Sequence, residues 1–276
     1  MTINCNGKLI SLDQPKVMGI LNVTPDSFFD GGKYKDESSI LQQVEKMLFQ
    51  GATFIDVGAY SSRPGALEVD EAKELKRITP IVNLILKNFP EAVLSIDTFR
   101  SNVAKACIER GAAIINDISA GVQDKNMLST IAELKVPYIM MHMRGTPQNM
   151  QQKTGYEDIL KEILFFFSER LGAAKALGIT DMIIDPGFGF AKNLKQNYEL
   201  LNHMEVLNVI EHPLLAGISR KSMIYKTLNT TAEHALNGTT ALHMVCLQKG
   251  AKILRVHDVK EAVECIKLFE QLNAQG

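Results

Sequence analysis

The sequence predicts a (β/α)8 barrel, on three observations. Short apolar runs alternate with amphipathic segments along almost the whole chain, the rhythm of strand, crossover helix and parallel strand. Most of the runs are apolar throughout, as in parallel strands covered on both faces, and lack the alternation of a half-wetted sheet. Nearly every run also hands over to a polar or charged residue: Asn22, Asp56, Asp97, Asn116, His142, Asp185, Lys221 and the pair Arg255 and His257. In a closed barrel these project from one rim, at the carboxyl ends of the strands, where ligands are held and chemistry is done.

The chain opens atypically. Residues 3–5 and 9–10 flank Asn6-Gly7, a pair that supplies the positive φ values of a type I′ turn. Residues 1–13 are therefore read as a hairpin plugging the bottom of the barrel. Strands are expected at 17–21, 54–57, 93–96, 113–115, 138–141, 182–184, 214–216 and 253–256. Between them run helical stripes. Ile40, Val44, Met47 and Leu48 share one face, and Leu75, Ile78, Ile81, Val82 and Ile85 another, with Gly51 and Gly111 standing where helices stop. Residues 158–177 give a long striped helix closed by Gly178, and 232–248 and 260–272 supply the last two. Each connection is long enough for a crossover. An open doubly wound sheet is the alternative layout of the same elements. No linker, low-complexity tract or short repeat interrupts the rhythm, so residues 1–276 read as one domain.

At 276 residues and 46% hydrophobic content the chain is long enough to bury a barrel core. Its 30 Lys and Arg against 31 Asp and Glu leave a formal net charge of −1, which gives no basic field for a nucleic-acid backbone. Any anion has to be met locally. Cys5, Cys107, Cys246 and Cys265 show no Cys-x-x-Cys spacing and read as reduced, buried thiols. Residues 1–13 lack the long apolar stretch of a secretory signal. The densest apolar run, 163–167, falls far short of the ~20 residues a membrane span needs. The expectation is a soluble cytoplasmic protein with no membrane or nucleic-acid partner.

Two rim loops are unusually long. Residues 22–32 run Asn-Val-Thr-Pro-Asp-Ser-Phe-Phe-Asp-Gly-Gly, against ~2–6 residues for an ordinary βα loop. Phe28 and Phe29 need something to cover, and Gly31 and Gly32 give hinge freedom, so a moving lid is expected. Residues 58–65, Gly-Ala-Tyr-Ser-Ser-Arg-Pro-Gly, set two hydroxyls and a guanidinium among small residues. That chemistry suits an anion, because arginine offers a fork of donors to which serine hydroxyls and backbone N–H groups can add.

Taken in order, the blocks 19–28 (Gly-Ile-Leu-Asn-Val-Thr-Pro-Asp-Ser-Phe), Ser61-Ser62-Arg63-Pro64-Gly65, Asp97-Thr98, Asn116-Asp117, 141–147 (Met-His-Met-Arg-Gly-Thr-Pro), 185–190 (Asp-Pro-Gly-Phe-Gly-Phe), Ser219-Arg220-Lys221 and Arg255-Val256-His257-Asp258 resemble the dihydropteroate synthase family. Each block alone is common; the ordered set at barrel spacing is specific. The resemblance implies an enzyme of folate biosynthesis that joins 4-aminobenzoate to 6-hydroxymethyl-7,8-dihydropterin diphosphate and releases diphosphate. It implies pterin contacts from Asp97, Asn116, Met140, Asp185, Lys221 and Arg255. It implies diphosphate contacts from Asn22, Ser62, Arg63, Arg255 and His257, with Mg2+ bound on the Asn22 side. The aminobenzoate pocket it implies is Phe28, Pro64, Phe190, Lys221 and Ser222, with catalytic roles for Asp97, Lys221 and Arg255. A homodimer with small-molecule substrates is the family-level expectation.

The residue types fit that chemistry. A pterin shows an edge of N–H donors and a carbonyl acceptor, so carboxylates facing the donors and a cation facing the carbonyl would orient it. The arylamine is neutral at pH 7 and brings its own lone pair, so no general base is demanded. Losing diphosphate from the pterin methylene is the demanding step, and Asp97 is the first candidate for the charge that stabilises the resulting cation. His142 is read as a support for the pocket wall. One departure stands out: the commoner family loop is Gly-Gly-Glu-Ser-Thr-Arg-Pro-Gly, and this chain carries Ala59, Tyr60, Ser61 and Ser62 within it, so Tyr60 replaces a carboxylate.

Three other readings compete. A pterin-binding barrel serving a corrinoid methyltransferase would share the Asp and Asn contacts but has no diphosphate to hold. A catalytically silent paralogue would be expected to lose part of the first loop, Lys221 or the Arg255 and His257 pair, and this chain keeps them all. A generic phosphosugar barrel has no need of Asp97, Asn116 and Asp185 together.

Overall fold

Two short strands, β1 (Thr2–Cys5) and β2 (Lys8–Ser11), form an antiparallel hairpin, and eight parallel strands close a barrel after it. The structure is a computed structural model and describes residues 1–23, 33–60 and 69–274. The barrel strands are β3 (Lys16–Asn22), β4 (Phe54–Gly58), β5 (Val93–Asp97), β6 (Ile114–Asp117), β7 (Tyr138–Met141), β8 (Met182–Asp185), β9 (Leu214–Ala216) and β10 (Ala251–Val256). They pair in sequence order, and β10 returns to β3 through the register Arg255↔Met18. The fully apolar runs thus build the closed barrel and not the open sheet.

Alternation sorts each strand into two faces. Met18, Phe54, Val93, Ile114, Ile139, Ile183, Leu215 and Ile253 point inward and meet Ile3, Cys5, Ile10 and Leu12 of the hairpin segment in one buried cluster. The hairpin is the floor of the barrel. Its turn has the expected geometry, with φ of 53° at Asn6 and 85° at Gly7, values that suit a type I′ turn. The outward residues, among them Leu21, Ile55, Ile96, Ile115, Ile184 and Leu254, pack against the helices in the larger cluster.

The helices are α1 (Lys33–Phe49), α2 (Glu71–Asn88), α3 (Ser101–Ile108), α4 (Met127–Leu134), α5 (Ile159–Ala176), α6 (Leu194–Asn202), α7 (Ser222–Thr227), α8 (Leu236–Gln248) and α9 (Val259–Asn273). Their starts are chemically marked. Asp70 caps α2 by accepting from Lys73 N at 2.8 Å, Asp158 caps α5, and Asn193 with Gln196 makes a reciprocal capping box on α6. Helix α8 begins four residues later than the periodicity of 232–248 implies. The Arg220 guanidinium takes the carbonyls of Ala232 and Glu233, at 2.8 and 2.5 Å, and those oxygens are lost to a helix. Among the described residues no helix is long and apolar enough to cross a membrane.

Candidate active site

Two residues beyond the floor, each barrel strand again points inward, and there the lining changes character. Phe54 is followed by Asp56, Ile114 by Asn116, Ile139 by Met141, Ile183 by Asp185, Leu215 by Gly217 and Ile253 by Arg255. One further step up stand Asn22, Gly58 and Asp97, linked through the registers Asn22↔Gly58 and Gly58↔Asp97. An apolar floor therefore carries a polar layer at the carboxyl ends of the strands, the end where barrel enzymes work.

Arg255 is the hub of that layer. Its Nε donates to Asp56 Oδ2 and its Nη2 to Asp97 Oδ2, each at 2.6 Å. Asn116 Nδ2 donates to the same Asp56 oxygen at 3.0 Å. Asp56 is fully buried, while Asp97 keeps 15% of its side chain exposed and so faces the mouth. Burial works against the Arg255 charge, but Asp56 and Asp97 outweigh it and hold the guanidinium above its usual range. Burial pushes the Asp97 carboxyl up to about 7, with Arg255 opposing the rise and Asp56 adding to it.

The second half of the layer surrounds Gly217. A methyl group on that glycine would lie 3.8 Å from Asp185 Oδ2 and 4.0 Å from both Arg255 Cβ and Lys221 Nζ. The space left by the missing side chain is bordered by the Asp185 carboxylate, the Lys221 ammonium and the stem of Arg255. Lys221 stands at the start of α7, and its Nζ donates to the Phe188 carbonyl and lies 4.8 Å from the centre of the Phe190 ring. Burial lowers the Lys221 ammonium to about 8, with Asp185 opposing. Burial likewise raises Asp185, and Lys221 opposes that. The pair is a carboxylate and an ammonium presented side by side to whatever enters.

Asp97, Asp185, Lys221 and Arg255, spread over more than half the chain, are thus gathered at one end of the barrel, with Asn22 and Asn116 beside them. Phe190 and Ser222 flank Lys221. His257 lies one residue beyond β10, not within it; it is exposed, and its Nδ1 is 3.1 Å from Ser219 Oγ. Phe28, Ser62, Arg63 and Pro64, together with the lid expected at 22–32, lie outside the described residues from Thr24 onward.

Met140 needs correcting as a pterin contact. Its side chain is fully buried in the outer cluster between strands and helices. Met141 is the inward residue, in register with Asp185 and packed in a group that Phe99 and Phe190 adjoin. A one-residue slip along a strand exchanges the two faces, and floor residue Ile139 fixes the parity. Asp56 shows in the sequence only as a strand-end residue, and nothing in its neighbours in sequence reveals that it anchors Arg255 from 199 positions away. Gly217 and Lys192 carry no signal in the sequence that marks them as part of the site.

Tyr60 is 8% exposed and packs edge-on to Phe99 with ring centres 5.2 Å apart. The Arg100 guanidinium lies 5.5 Å from its centre, and its hydroxyl accepts from Gln148 Nε2 at 2.8 Å. Arg100 also pairs with Glu74 and donates to Val69 O at 2.6 Å. Tyr60 is therefore held through its ring by Phe99 and the Arg100 cation and through its hydroxyl by Gln148.

A metal would find a hard oxygen donor here. Asn22 Oδ1 and Asp97 Oδ2 face the same space over Gly58, 3.7 and 3.6 Å from where a methyl on that glycine would sit. Among the described residues no group of three His, Cys, Asp or Glu is arranged to hold a metal ion. Asp97 Oδ2 is already held by Arg255 Nη2, so an ion such as Mg2+ would meet one hard oxygen here, Asn22 Oδ1, and would have to bring a ligand's own oxygens and waters.

Closed parallel barrel, apolar floor and charged rim define an α/β-barrel enzyme. A model of the pterin binding enzyme family matches residues 18–257, and the chain belongs to that family. The dihydropteroate synthase of Escherichia coli (strain K12) is 41% identical over 272 residues, which cover 98% of this chain and 96% of that protein. That of Haemophilus influenzae is 40% identical, covering 98% of both. Among solved structures, Yersinia pestis dihydropteroate synthase with a sulfonamide drug complex matches at a TM-score of 0.93 and 42% identity, covering 99% of this chain and 100% of that one. The Xanthomonas albilineans enzyme in complex with 7,8-dihydropteroate matches at 0.89 and 34%, covering 99% of each.

Proposed function

We infer that this chain acts as a dihydropteroate synthase of folate biosynthesis, joining 4-aminobenzoate to 6-hydroxymethyl-7,8-dihydropterin diphosphate to give 7,8-dihydropteroate and diphosphate. The observation that carries the reading is the convergence at Gly217 of Asp185, Lys221 and Arg255, which come from different strand ends. That matches the need of a flat heterocycle with donors on one edge and a carbonyl on the next. Relatives solved with 7,8-dihydropteroate and with 4-aminobenzoic acid support it.

In this reading Asp185 and Asn116 meet the polar edge of the pterin, the Lys221 ammonium meets its carbonyl, and Arg255 lies along the ring. Arg255, His257 and Asn22 serve the diphosphate end, together with Ser62 and Arg63 of the second loop. Phe190, Ser222 and the Lys221 stem line the aminobenzoate side, with Phe28 and Pro64 from the two loops. The bond between the pterin methylene and diphosphate breaks with its electron pair leaving on the phosphate oxygen. The arylamine lone pair then forms the new C–N bond, and its proton passes to water at the open mouth. Asp97, ionised beside Arg255, supplies negative charge to the ring-delocalised cation. Mg2+, bound through Asn22 Oδ1, would neutralise the leaving diphosphate. The Arg255 and His257 pair counts against a methyltransferase barrel, which has no such anion to hold.

Leu268 and Leu272 on α9, 63% and 65% exposed, support assembly as a homodimer. Four buried free cysteines support a reducing, cytoplasmic setting. The deciding experiment incubates the purified protein with the dihydropterin diphosphate, 4-aminobenzoate and Mg2+ and follows 7,8-dihydropteroate by mass spectrometry. Binding of pterin without product would mark a silent paralogue.

A further inference from the structure

Lys192 is 3% exposed, and its ammonium nitrogen has three partners: Gly187 O at 2.9 Å, Phe190 O at 3.0 Å and His142 Nδ1 at 3.0 Å. A lysine ammonium has three N–H donors and no acceptor, so this tripod uses all of them. Burial pulls Lys192 well below its usual value, with Asp185 opposing. The geometry nevertheless accommodates the charged form, with two N–H groups on the Gly187 and Phe190 carbonyls and the third on His142 Nδ1. In that form His142 Nδ1 accepts, which puts the ring proton on Nε2. Burial, then Lys192, holds that ring well below its ordinary range, in agreement with a neutral imidazole.

A charge buried for packing alone makes little sense here. Methionine or leucine would fill similar volume without the desolvation of an ion, which costs several kcal/mol. Arginine cannot present three diverging N–H groups from one nitrogen. The tripod sits under the turn that ends the wall of the candidate site. Phe190 N donates to Gly187 O at 3.1 Å, Gly187 N donates to Asp185 Oδ1 at 2.8 Å, and Gly187 has φ of +71°. A methyl on Gly187 would lie 2.1 Å from His142 O, so the turn is pressed against the end of β7. From the other side, the same turn offers the Phe188 carbonyl and the Phe190 ring to Lys221.

We propose that Lys192 is a positioning residue for pterin binding: by pinning the Gly187 and Phe190 carbonyls to His142, it fixes the turn that aims the Lys221 ammonium. It does so from beneath the turn, without touching the ligand. The proposal rests on the pterin reading of the Gly217 space, and the test separates the two. Lys192→Met and Lys192→Gln are prepared, with circular dichroism as the check of folding. Binding of 6-hydroxymethylpterin and of Mg2+-diphosphate is measured separately by calorimetry, with kcat and KM for the full reaction.

In Lys192→Met the pterin Kd rises about tenfold or more, the diphosphate Kd stays within about twofold, and KM for the dihydropterin diphosphate rises more than kcat falls. Glutamine keeps two N–H donors for the two carbonyls, so Lys192→Gln recovers much of the lost pterin affinity. An unchanged pterin Kd in Lys192→Met overturns the proposal. So does a parallel loss at both probes, which a general loosening of the fold would produce. If Lys192→Met does not fold, the same comparison is made in Lys192→Gln, and failure of both to fold also overturns it, since the residue then serves the fold as a whole. A wild-type protein that does not bind the pterin probe counts against the proposed function instead.

Discussion

Removing the Arg255 guanidinium tests how the polar layer is held together. In Arg255→Ala, Asp56 loses a partner at 2.6 Å while fully buried, and keeps the Asn116 amide at 3.0 Å. Breaking a buried pair from one side costs about 3–5 kcal/mol, because the remaining charge is left without compensation. Asp97 also loses its partner, but 15% of its side chain reaches solvent, so its share is nearer ~1 kcal/mol. A total of about 5 kcal/mol corresponds to a drop in Tm of roughly 10 °C for a chain of this size. The sharper test is a cycle with Asp56→Asn. In the wild-type background that change weakens the pair. In the Arg255→Ala background it removes the stranded charge, and the double variant should be about 2 kcal/mol more stable than Arg255→Ala alone. Urea unfolding at fixed pH measures all four proteins. A cycle additive to within about 0.5 kcal/mol would show that the two side chains are not energetically coupled and would refute the hub.

Further outcomes follow from the same geometry. The pH dependence of kcat/KM should be bell-shaped: Asp97, pushed up to about 7, loses its charge as pH falls, and Lys221, lowered to about 8, loses its charge as pH rises. A flat profile from pH 6 to 9 would remove both groups from the reaction. His243 on α8 is 1% exposed, has no hydrogen-bond partner among the described residues for either ring nitrogen, and is lowered by burial to about 4, with Asp258 opposing. The unfolded chain therefore binds a proton that the fold rejects, so stability is lost as pH falls from about 6.5 to about 4, by about 3 kcal/mol. In His243→Leu that part of the acid sensitivity should vanish in urea titrations at pH 4.5 and 7; an unchanged difference would exclude His243 as its source. Gly217→Ala adds a methyl with only ordinary contacts, 3.8 Å and beyond. It should leave Tm unchanged within about 1 °C while raising pterin Kd about tenfold; normal binding would place the ligand elsewhere.

Much of the barrel was legible in the chain because each strand is covered on both faces and shows as an uninterrupted apolar run. Asn6-Gly7 announced the floor hairpin through its turn geometry alone. Strand ends were less legible. Asn22, Asp97 and Asp185 close their strands instead of following them, because a polar side chain at the rim does not stop the backbone from pairing. Face was harder still. Choosing Met140 over Met141 turns on parity, and a run apolar on both faces carries no parity of its own until a neighbour such as Ile139 is seen in the floor.

Local chemistry sufficed for what depends on neighbours in the chain: strand, crossover and hairpin, and the polar residues at each strand's carboxyl end. Tertiary structure alone decided which of those residues meet. Arg255 bridges Asp56 and Asp97 across 199 and 158 positions, and the Lys192 ammonium finds His142 across 50. The reason is geometric. Closure brings the last strand beside the first and turns alternate residues inward, and the low dielectric of that interior is what makes a carboxylate, a guanidinium or an ammonium seek a partner remote in sequence.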